Sequence, residues 1–299
     1  MRILLTGASG LIGHALSSLL TIQGHRVVAL VRSKSHSTDG QILWNPEAGT
    51  IDKDRLEDFD AVVHLAGETI VGRWTAQKKA RILASRVKST RLLCETLAQV
   101  HSRPKVLVSA SAIGYYGDRG DEILDEESSP GSLFLSKVSK AWEGATEPAK
   151  QSGIRVVNLR IGLVLSRSGG GLATMLLPFK LGVGGRVGSG EQYMSWIAID
   201  DLVGAISHSI HTESLNGPVN AVAPNPVTNR EFTKALGKVL RRPAILPLPA
   251  FSVRMVMGEM ADNLLLASAR VNPSRLFASG YAFRFSELTD ALHHVLDKS

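Results

Sequence analysis

A glycine-rich turn between an apolar strand and a helix is the feature that most constrains the fold of this 299-residue chain. The segment Thr6–Gly13 reads TGASGLIG; it follows the apolar run Ile3–Leu5 and precedes leucines at helical spacing. At such a helix start the backbone N–H groups point outward, and the aligned peptide dipoles favour an anion. The glycines permit a tight turn, close approach of a pyrophosphate and close packing of helix on strand. The segment therefore predicts a dinucleotide-binding turn, with cofactor contacts at Gly7, Ser9, Gly10, Leu11, Ile12 and Gly13.

The first half of the chain alternates strand and helix patterns. Strands are predicted over residues 3–6, 26–31, 60–65, 105–109 and 154–159, and helices over residues 11–23, 76–100 and 135–152. Strands separated by helices pair in parallel through right-handed crossovers, and ligands bind at the carboxyl ends of the strands. The sequence therefore predicts an α/β fold, a Rossmann-type doubly wound parallel sheet with a smaller, mixed and mainly helical C-terminal lobe on the substrate side.

Beyond about Leu165 the pattern changes. Residues 168–171 and 182–190 are glycine-rich and are predicted to form loops that line a site. Asp200 or Asp201 is predicted to cap the helix that follows a short strand at residues 196–199.

The last third of the chain supplies the predicted domain boundary. The segment Thr228–Glu231 has the spacing of a capping box that opens a helix, and prolines at positions 243, 247 and 249 predict an extended connector. The predicted division is an NAD(P)-binding domain over residues 1–222 and a C-terminal extension over residues 243–299. Within the first domain, the nucleotide core ends at about residue 165 and the substrate-side segments start at about residue 166.

Composition excludes several classes of function. The chain is 44% hydrophobic and 20% charged, as in ordinary globular proteins, and its apolar runs are far shorter than the roughly 18–20 residues of a membrane span. The formal charge is +7, but the basic residues are scattered and aromatic residues that could stack on bases are few. A basic surface that attracts an anionic cofactor or substrate explains this charge at least as well. We therefore expect no membrane and no nucleic-acid partner.

The single cysteine, Cys94, lies in an apolar helix pattern and is predicted to be a buried structural thiol. Because the chain has one cysteine, it cannot form an internal disulfide or a cysteine-based metal cluster. The nine histidines show no metal-ligand spacing. The chain enters a strand at once, which leaves no room for a signal peptide. We therefore expect no metal and a reducing, cytoplasmic location.

The end of the second predicted strand indicates which dinucleotide binds. An NAD site has a carboxylate about 20 residues beyond the glycine turn, to accept the ribose hydroxyls. Here the strand ends Val31-Arg32-Ser33-Lys34, with no acid. A guanidinium can bind a 2′-phosphate through two charge-assisted hydrogen bonds. The position predicts NADP(H), with Arg32 as the phosphate ligand and Ser33 or Lys34 in support; the alternative is that Arg32 is a solvated loop residue.

Taken together, these residues resemble the extended short-chain dehydrogenase/reductase superfamily. The resemblance rests on TGASGLIG and on the segments DAVVHLAG, LVSASAIGYYG, LRIGLVL and WIAIDDLVGAI. More narrowly, the chain is similar to an epimerase-like branch with a C-terminal extension of unknown function. That branch is marked by GRWT, SRVKST, LPFKLGVGGRVGSGEQYMSWI and SGYAFRF, and the similarity runs essentially end to end.

The resemblance implies further cofactor contacts. Leu65, Ala66 and Gly67 are expected to pass beside the adenosine, and Ser109 to approach the nicotinamide side. Arg86 takes the place of a cofactor-facing basic residue; the alternative is an ordinary surface arginine. The resemblance also implies a small-molecule substrate, and by analogy a homodimer formed through two paired helices.

The chain departs from the superfamily at its catalytic pair, Tyr-x-x-x-Lys. In that pair the lysine lowers the pKa of the phenol and the tyrosine exchanges a proton as hydride moves. Alignment on Trp142-Glu143 places Leu135 and Ser139 at the two positions, and no tyrosine occurs between residues 117 and 192 that a shift of register could use.

Other residues are candidates to replace the missing pair. Tyr116 and Ser111 lie just past the predicted strand at residues 105–109 and Lys137 lies on the following helix, so we predict catalytic roles for these three. The alternative for Tyr116 is a packed ring with a hydrogen-bonded hydroxyl. Arg186, in glycine-rich surroundings that leave room for a ligand, is the predicted ligand of an anionic substrate.

Two functions follow from these observations. The first is an NADP(H)-dependent oxidoreductase or epimerase that acts by hydride transfer on a small carbonyl or sugar-like substrate. The second is a non-catalytic NADP(H)-binding redox sensor or regulatory scaffold, for which relatives tied to cell or organelle division suggest a role in division. The missing tyrosine and lysine favour the second, and the glycine-rich substrate-side segments favour the first.

Overall fold

The computed structural model describes residues 1–32 and 40–297, and within them it contains fourteen strands and eleven helices. The strands are β1 (Arg2–Thr6), β2 (Arg26–Val31), β3 (Gln41–Asn45), β4 (Thr50–Ile51), β5 (Ala61–His64), β6 (Val106–Ala112), β7 (Ile123–Leu124), β8 (Arg155–Ile161), β9 (Leu163–Leu165), β10 (Tyr193–Met194), β11 (Trp196–Ala198), β12 (Gly217–Ala221), β13 (Val227–Thr228) and β14 (Arg270–Val271). The helices are α1 (Leu11–Ile22), α2 (Ala76–Gln99), α3 (Phe134–Gly144), α4 (Glu147–Gln151), α5 (Gly170–Lys180), α6 (Ile199–His211), α7 (Asn229–Leu240), α8 (Ala250–Met257), α9 (Glu259–Leu264), α10 (Ser274–Ala278) and α11 (Leu288–Asp297). Ser33 and Lys34, the predicted partners of Arg32, lie outside the described residues.

Eight strands form the central sheet in the order β12-β8-β6-β5-β1-β2-β3-β4. All neighbours are parallel except β3 and β4. The chain builds outward from β1 in both directions, so the crevice at the carboxyl ends of β1, β2 and β5 is the switch point at which ligands bind in such sheets. The predicted doubly wound Rossmann-type fold is confirmed.

Helices cover both faces of this sheet. On one face, Leu16 and Leu20 of α1 pack with residues of α6 against Ile3 and Leu5. On the other face, Leu93 and the buried thiol of Cys94 in α2 pack against alternate residues of the same strands. Because both faces are buried, the parallel strands are almost continuously apolar, which is why the sequence pattern identified them.

The C-terminal lobe has an apolar core of its own. Trp196 of β11 and Phe232 of α7 lie at its centre, with Leu172 of α5 and Leu292 of α11 packed around them. The capping box predicted at the start of α7 is present: Thr228 and Glu231 each bind the backbone N–H of the other. The lobe is mainly helical, as predicted.

Three local features differ from the sequence predictions. The predicted helix over residues 135–152 is divided into α3 and α4, because Pro148 has no N–H to continue the first helix. Strands β3 and β4 were not predicted, since their short polar-flanked segments carry little pattern. The glycine-rich residues 170 and 171 open helix α5 instead of forming a loop.

The predicted capping role of the two aspartates before α6 is wrong. Ala198 is the N-cap of α6 and has no side-chain hydrogen bond, while both aspartates lie within the first turn. The buried carboxylate of Asp201 instead accepts the backbone N–H groups of Arg284 (2.8 Å) and Phe285 (3.0 Å). The carboxylate of Asp201 therefore binds the backbone of the C-terminal segment instead of capping α6, as the local pattern predicted.

The connector after α7 lies along the glycine-rich loop at residues 182–190. Leu248 donates its N–H to the carbonyl of Arg186 (2.8 Å), and Gly188 donates to the carbonyl of Leu248 (2.8 Å). A Cβ atom at Gly185 would lie 1.6 Å from the carbonyl oxygen of Leu246. The loop and the connector can therefore meet only because residue 185 has no side chain.

We expect the substitution Gly185→Ala to lower the midpoint of thermal unfolding by several degrees, because the added methyl must displace the connector. The measurement is thermal denaturation followed by circular dichroism. Gly144→Ala is the matched control, since a Cβ at Gly144 meets no atom within 4 Å. Equal midpoints for the two variants would contradict close contact between the loop and the connector.

Candidate functional site

The glycine turn has the geometry of a diphosphate cradle. Gly7 has φ +70°, and Gly10 is the N-cap of α1 without any side-chain cap. A Cβ atom at Gly13 would lie 2.2 Å from the carbonyl oxygen of Gly7. The first turn of α1 contains no acidic residue, so its N–H groups face an anion without competition from a side chain. The residues present therefore fit a dinucleotide.

The start of helix α5 covers this turn. A Cβ at Gly170 would lie 3.3 Å from Cδ2 of Leu11, the first residue of α1. The uninterrupted glycines at residues 169–171 thus let the C-terminal lobe approach the cradle closely. This contact joins the substrate-side lobe to the predicted cofactor site.

A cluster of basic side chains surrounds Glu68, next to the end of β2. Lys78 binds a carboxylate oxygen of Glu68 at 2.8 Å, and Arg81 lies 3.9 Å from the same oxygen. The hydrogen bond from Lys78 lowers the pKa of Glu68, and the charges of Arg81 and Arg32 lower it further. Arg32 is exposed and follows β2 directly, where a 2′-phosphate would lie. The sequence carried no signal for Glu68, because only the fold brings it to these cations.

The loop after β5 is fixed by the hydroxyl of Thr6, the last residue of β1. Oγ1 of Thr6 accepts the backbone N–H groups of Leu65 (3.0 Å) and Ala66 (3.1 Å). A Cβ at Gly7 would lie 2.9 Å from the carbonyl group of Leu65, so the turn and this loop are in direct contact. Two segments predicted to contact the cofactor, the turn and residues 65–66, are therefore held together by one side chain.

A buried histidine extends this contact to the helices. His64 lies 2.8 Å from Oγ1 of Thr6 through Nδ1 and 2.9 Å from Oγ1 of Thr90 through Nε2. Trp142 of α3 also donates to Thr90, at 2.9 Å. Because the Thr6 oxygen already accepts two N–H groups, its proton goes to Nδ1, and Nε2 carries the imidazole proton. Burial lowers the pKa of His64 to about 4, so the ring is neutral.

Ser109 is the next polar residue beside His64 in the sheet. His64, Ser109 and Asn158 are register neighbours on β5, β6 and β8, and their side chains share a face. The Ser109 residue is fully buried, and within the described residues its hydroxyl oxygen and Oδ1 of Asn158 have no hydrogen-bond partner. Contact between Ser109 and a nicotinamide stays a prediction.

Arg86 is half-buried and belongs to the same edge of the sheet. It donates to the carbonyl of Glu68 (3.0 Å), and its guanidinium lies 5.0 Å from the ring centroid of Trp142. A Cβ at Gly67 would lie 3.4 Å from Cζ of Arg86. The structure thus brings Arg86 to the loop after β5, as the cofactor-facing interpretation requires, and these contacts differ from those of an ordinary surface arginine.

Buried charges organise the carboxyl end of β6. Arg160 binds Glu143 of α3 through two hydrogen bonds of 2.9 Å, and the hydroxyl of Ser111 donates to the same carboxylate at 2.7 Å. The side chain of Arg160 is only 3% exposed and that of Glu143 is 13% exposed. Arg160 also stacks on the ring of Tyr115, 3.6 Å from its centroid.

Tyr116 is part of this cluster and has no exposed surface. Its hydroxyl lies 2.7 Å from Oδ1 of Asn220 and 2.8 Å from the carbonyl of Asp125, and it accepts a hydrogen bond from Arg160 at 3.0 Å. Burial raises the pKa of Tyr116 to about 12 despite the opposing charge of Arg160. The geometry favours the packing interpretation; a catalytic role for Tyr116 stays an untested prediction.

Helix α3 does not bring Lys137 to this cluster. Leu135 and Ser139 face inward and are buried, whereas Lys137 is exposed on the other side of the helix. The backbone N–H of Leu135 donates to Oδ1 of Asn263 in α9, at 3.1 Å. The structure therefore brings together Ser111 and Tyr116 but not Lys137, and it adds Glu143 and Arg160 to them.

Arg186 also lies apart from the glycine turn. It is exposed, it donates to the carbonyl of Ser189 (2.8 Å), and it lines a cleft with residues of α7.

Over residues 1–32 and 40–297, no group of three or more histidine, cysteine, aspartate or glutamate side chains is arranged to hold a metal ion. Within the same ranges, none of the helices has the length and apolarity needed to cross a membrane.

We expect Arg32→Ala to weaken binding of NADPH at least tenfold and to leave binding of NADH nearly unchanged, because only NADPH carries the 2′-phosphate. Titration of each nucleotide by isothermal calorimetry gives both affinities. Arg91→Ala is the control, since Arg91 is an exposed residue of α2 beyond the cluster. Equal losses for the two nucleotides would contradict the assignment of Arg32.

The burial of His64 predicts a pH dependence of stability. The pKa of His64 is about 4 in the folded chain and 6.5 in the unfolded chain, so the unfolded state takes up the proton first. The free energy of unfolding should therefore fall by about 3 kcal/mol as the pH falls from 6.5 to 4. Urea denaturation across this range measures it.

The variant His64→Gln should lose this part of the pH dependence, whereas His101→Gln, at an exposed histidine, should retain it. The difference between the two curves removes the contribution of the carboxylates that titrate over the same range. Parallel curves for the two variants would show that His64 does not cause the effect.

Two families of known proteins match the chain. The NAD dependent epimerase/dehydratase family matches residues 3–221, and a domain of unknown function, DUF1731, matches residues 248–295. The epimerase family protein Mb2239 of Mycobacterium bovis is 43% identical over 292 residues, covering 97% of this chain and 96% of that protein. The human epimerase family protein SDR39U1 is 37% identical over 300 residues, covering 99% and 100% of the two chains.

Solved structures give the same result. Human SDR39U1 (isoform 2), solved with NADPH, superposes with a TM-score of 0.93 at 37% identity over the whole of both chains. A nucleoside-diphosphate sugar epimerase from Corynebacterium glutamicum superposes with a TM-score of 0.81 at 37% identity, covering 99% of this chain and 58% of that one. The resemblance to extended short-chain dehydrogenases/reductases is confirmed, and this chain belongs to the NAD dependent epimerase/dehydratase family.

Proposed function

We propose that this protein is an NADP(H)-dependent oxidoreductase or epimerase that acts by hydride transfer on a small carbonyl or sugar-like substrate. The observation that carries the proposal is the uncapped N-terminus of α1 at the glycine turn, with Arg32 and not a carboxylate at the position directly after β2. The NADPH in the crystal structure of human SDR39U1, a 37% identical relative, supports the same cofactor here. The homodimer remains a proposal by analogy.

When bound, NADP(H) supplies or accepts the hydride. The N–H groups of the first turn of α1 would bind its diphosphate, and Arg32 would bind its 2′-phosphate. The loop at residues 65–67, held by Thr6 and flanked by Arg86, would contact its adenosine. A cofactor held in this way would supply its hydride chemistry at the carboxyl end of β6, the strand that carries Ser111.

Ser111 is the predicted catalytic residue with the most suitable contacts. Its hydroxyl donates to the carboxylate of Glu143, so its oxygen is free to accept a hydrogen bond from a substrate hydroxyl. In the direction of oxidation, the substrate proton passes to Ser111 while the serine proton passes to Glu143. In this arrangement Tyr116 positions Arg160, since its side chain is fully buried and its hydroxyl is bonded to Asn220 and Arg160.

A second function, that of a non-catalytic NADP(H) sensor or scaffold, is favoured by a different observation. Leu135 and Ser139 are buried at the positions of the superfamily's tyrosine and lysine, so the phenol that exchanges the proton and the cation that lowers its pKa are both missing there. Such a protein would keep the cofactor contacts and lack turnover.

The test is turnover of a panel of carbonyl compounds and nucleotide sugars with saturating NADPH or NADP⁺. We expect Ser111→Ala to reduce kcat at least tenfold without changing NADPH affinity, because it removes the hydroxyl that is proposed to accept the substrate proton. Tyr116→Phe should lower the thermal midpoint and reduce kcat less than Ser111→Ala does. Ser102→Ala, at an exposed serine, is the control.

Two outcomes would contradict this proposal. If no substrate of a broad panel is turned over and NADPH still binds tightly, the sensor function is the better description. If Tyr116→Phe abolishes turnover while Ser111→Ala does not, the proton passes through the tyrosine.

A further inference from the structure

A cleft of about 380 Å³ lies between helix α7 and the connector that follows it. We call it the cationic cleft, because its described lining includes five cationic side chains and no carboxylate. The cations are Arg186, Arg230, Lys234, Lys238 and Arg242. The remaining lining residues are Thr233, Gly237, Ala244 and Ile245.

The fold gathers these cations from three segments. Arg230, Lys234 and Lys238 follow one another at intervals of four residues and therefore share one face of α7. Arg186 comes from the glycine-rich loop, and a Cβ at Gly190 would lie 3.3 Å from both Cδ of Arg186 and Cβ of Arg230. Gly190, which has φ +77°, thus lies between Arg186 and Arg230, and its lack of a side chain lets the two pack closely.

A second glycine brings the connector, with Arg242, against α7. A Cβ at Gly237 would lie 2.8 Å from Cβ of Ala244, which packs on this part of the helix. Small residues, Gly237 and Ala244, thus line the cleft together with the cations. This shape leaves room for a compact ligand among the positive charges.

Only some of these cations have partners within the chain. Arg230 pairs with Glu191, and both Arg186 and Arg230 donate to the carbonyl of Ser189. Arg242 donates to the carbonyl of Lys180 at the end of α5 (3.1 Å). The side chains of Lys234 and Lys238 form no hydrogen bond or ion pair with any described residue.

This arrangement is unfavourable without a ligand. Like charges four residues apart destabilise a helix, and this face of α7 carries two such pairs in succession. The nearest acid on the helix, Glu231, is used in the capping box. An anion that bound Lys234 and Lys238 together would relieve the repulsion.

The cationic cleft is separate from the cofactor site. Helix α5 contacts Leu11 of the glycine turn through Gly170 at its start, and Arg242 binds Lys180 at its end. A helix of this length, 11 residues, spans about 16 Å. A ligand in the cleft is therefore a second ligand, distinct from the dinucleotide diphosphate.

We propose that the cationic cleft binds a small phosphorylated anion with at least two negative charges. Guanidinium groups bind phosphate oxygens in pairs and lysines bind them as point charges. The cleft is within the usual volume range of small-molecule sites. Its described lining has no aromatic side chain on which a nucleic-acid base could stack.

The test uses inorganic pyrophosphate as the probe, titrated by calorimetry into the full chain with saturating NADPH at 0.15 M salt. We expect one binding site per chain, weakened at least tenfold in the double variant Lys234→Gln/Lys238→Gln. The control variant Lys88→Gln/Lys150→Gln removes the same charge from exposed positions on α2 and α4 and should bind like the parent protein. Because all four lysines are exposed, circular dichroism should show that both variants remain folded, with a slightly higher thermal midpoint for Lys234→Gln/Lys238→Gln, which removes like charges from α7.

Three results would overturn the proposal. The first is no pyrophosphate binding at millimolar concentration, and the second is an equal loss in both double variants, which would reflect net charge alone. The third is binding of phosphatidylglycerol vesicles or duplex DNA through Lys234 and Lys238 without binding of pyrophosphate. The proposal does not rest on the proposed function, since the difference between the two variants remains measurable even if NADPH does not bind.

Discussion

The hydroxyl of Thr6 holds the cofactor edge of the sheet together. It accepts the two N–H groups that open the loop after β5, and it donates to a neutral buried histidine that is bound in turn to α2. Removing one partner from such a chain leaves buried polar groups unsatisfied, at a cost of about 1–3 kcal/mol each. The glycine turn, the loop at residues 65–67 and the helix that carries Arg86 are therefore positioned as one unit.

The carboxyl end of β6 is held by a buried ion pair and not by a single hydroxyl. Arg160 and Glu143 form a buried ion pair whose remaining hydrogen-bonding groups are satisfied by Ser111 and Tyr116. The superfamily's tyrosine position carries Leu135, and its backbone N–H is bound by Asn263 of the C-terminal extension. The glycine turn thus keeps the superfamily pattern, while the carboxyl end of β6 departs from it, with Glu143, Arg160 and Asn263 of the extension bonded there.

The features of the molecule that depend on neighbouring residues could be predicted from the sequence. The turn at Gly7–Gly13 and the capping box at Thr228 each depend on residues within a few positions of one another, and both have the expected form. The role of Asp201 could not be predicted from the sequence, because its buried carboxylate is bonded to residues more than eighty positions away and leaves no local pattern. The same reason explains why Glu68 and Glu143 were not identified as members of the site.

The sequence by itself determined the doubly wound fold, the dinucleotide turn and the absence of an acid at the end of β2, since glycine spacing and apolar periodicity are properties of neighbouring residues. Only the tertiary structure decided which charges meet. It buried Tyr116 against Arg160, turned Lys137 away from Ser111, and brought Arg186 to the lysines of α7 instead of to the glycine turn. The physical reason is that burial and charge pairing depend on distances across the fold, which residues far apart in the chain set together.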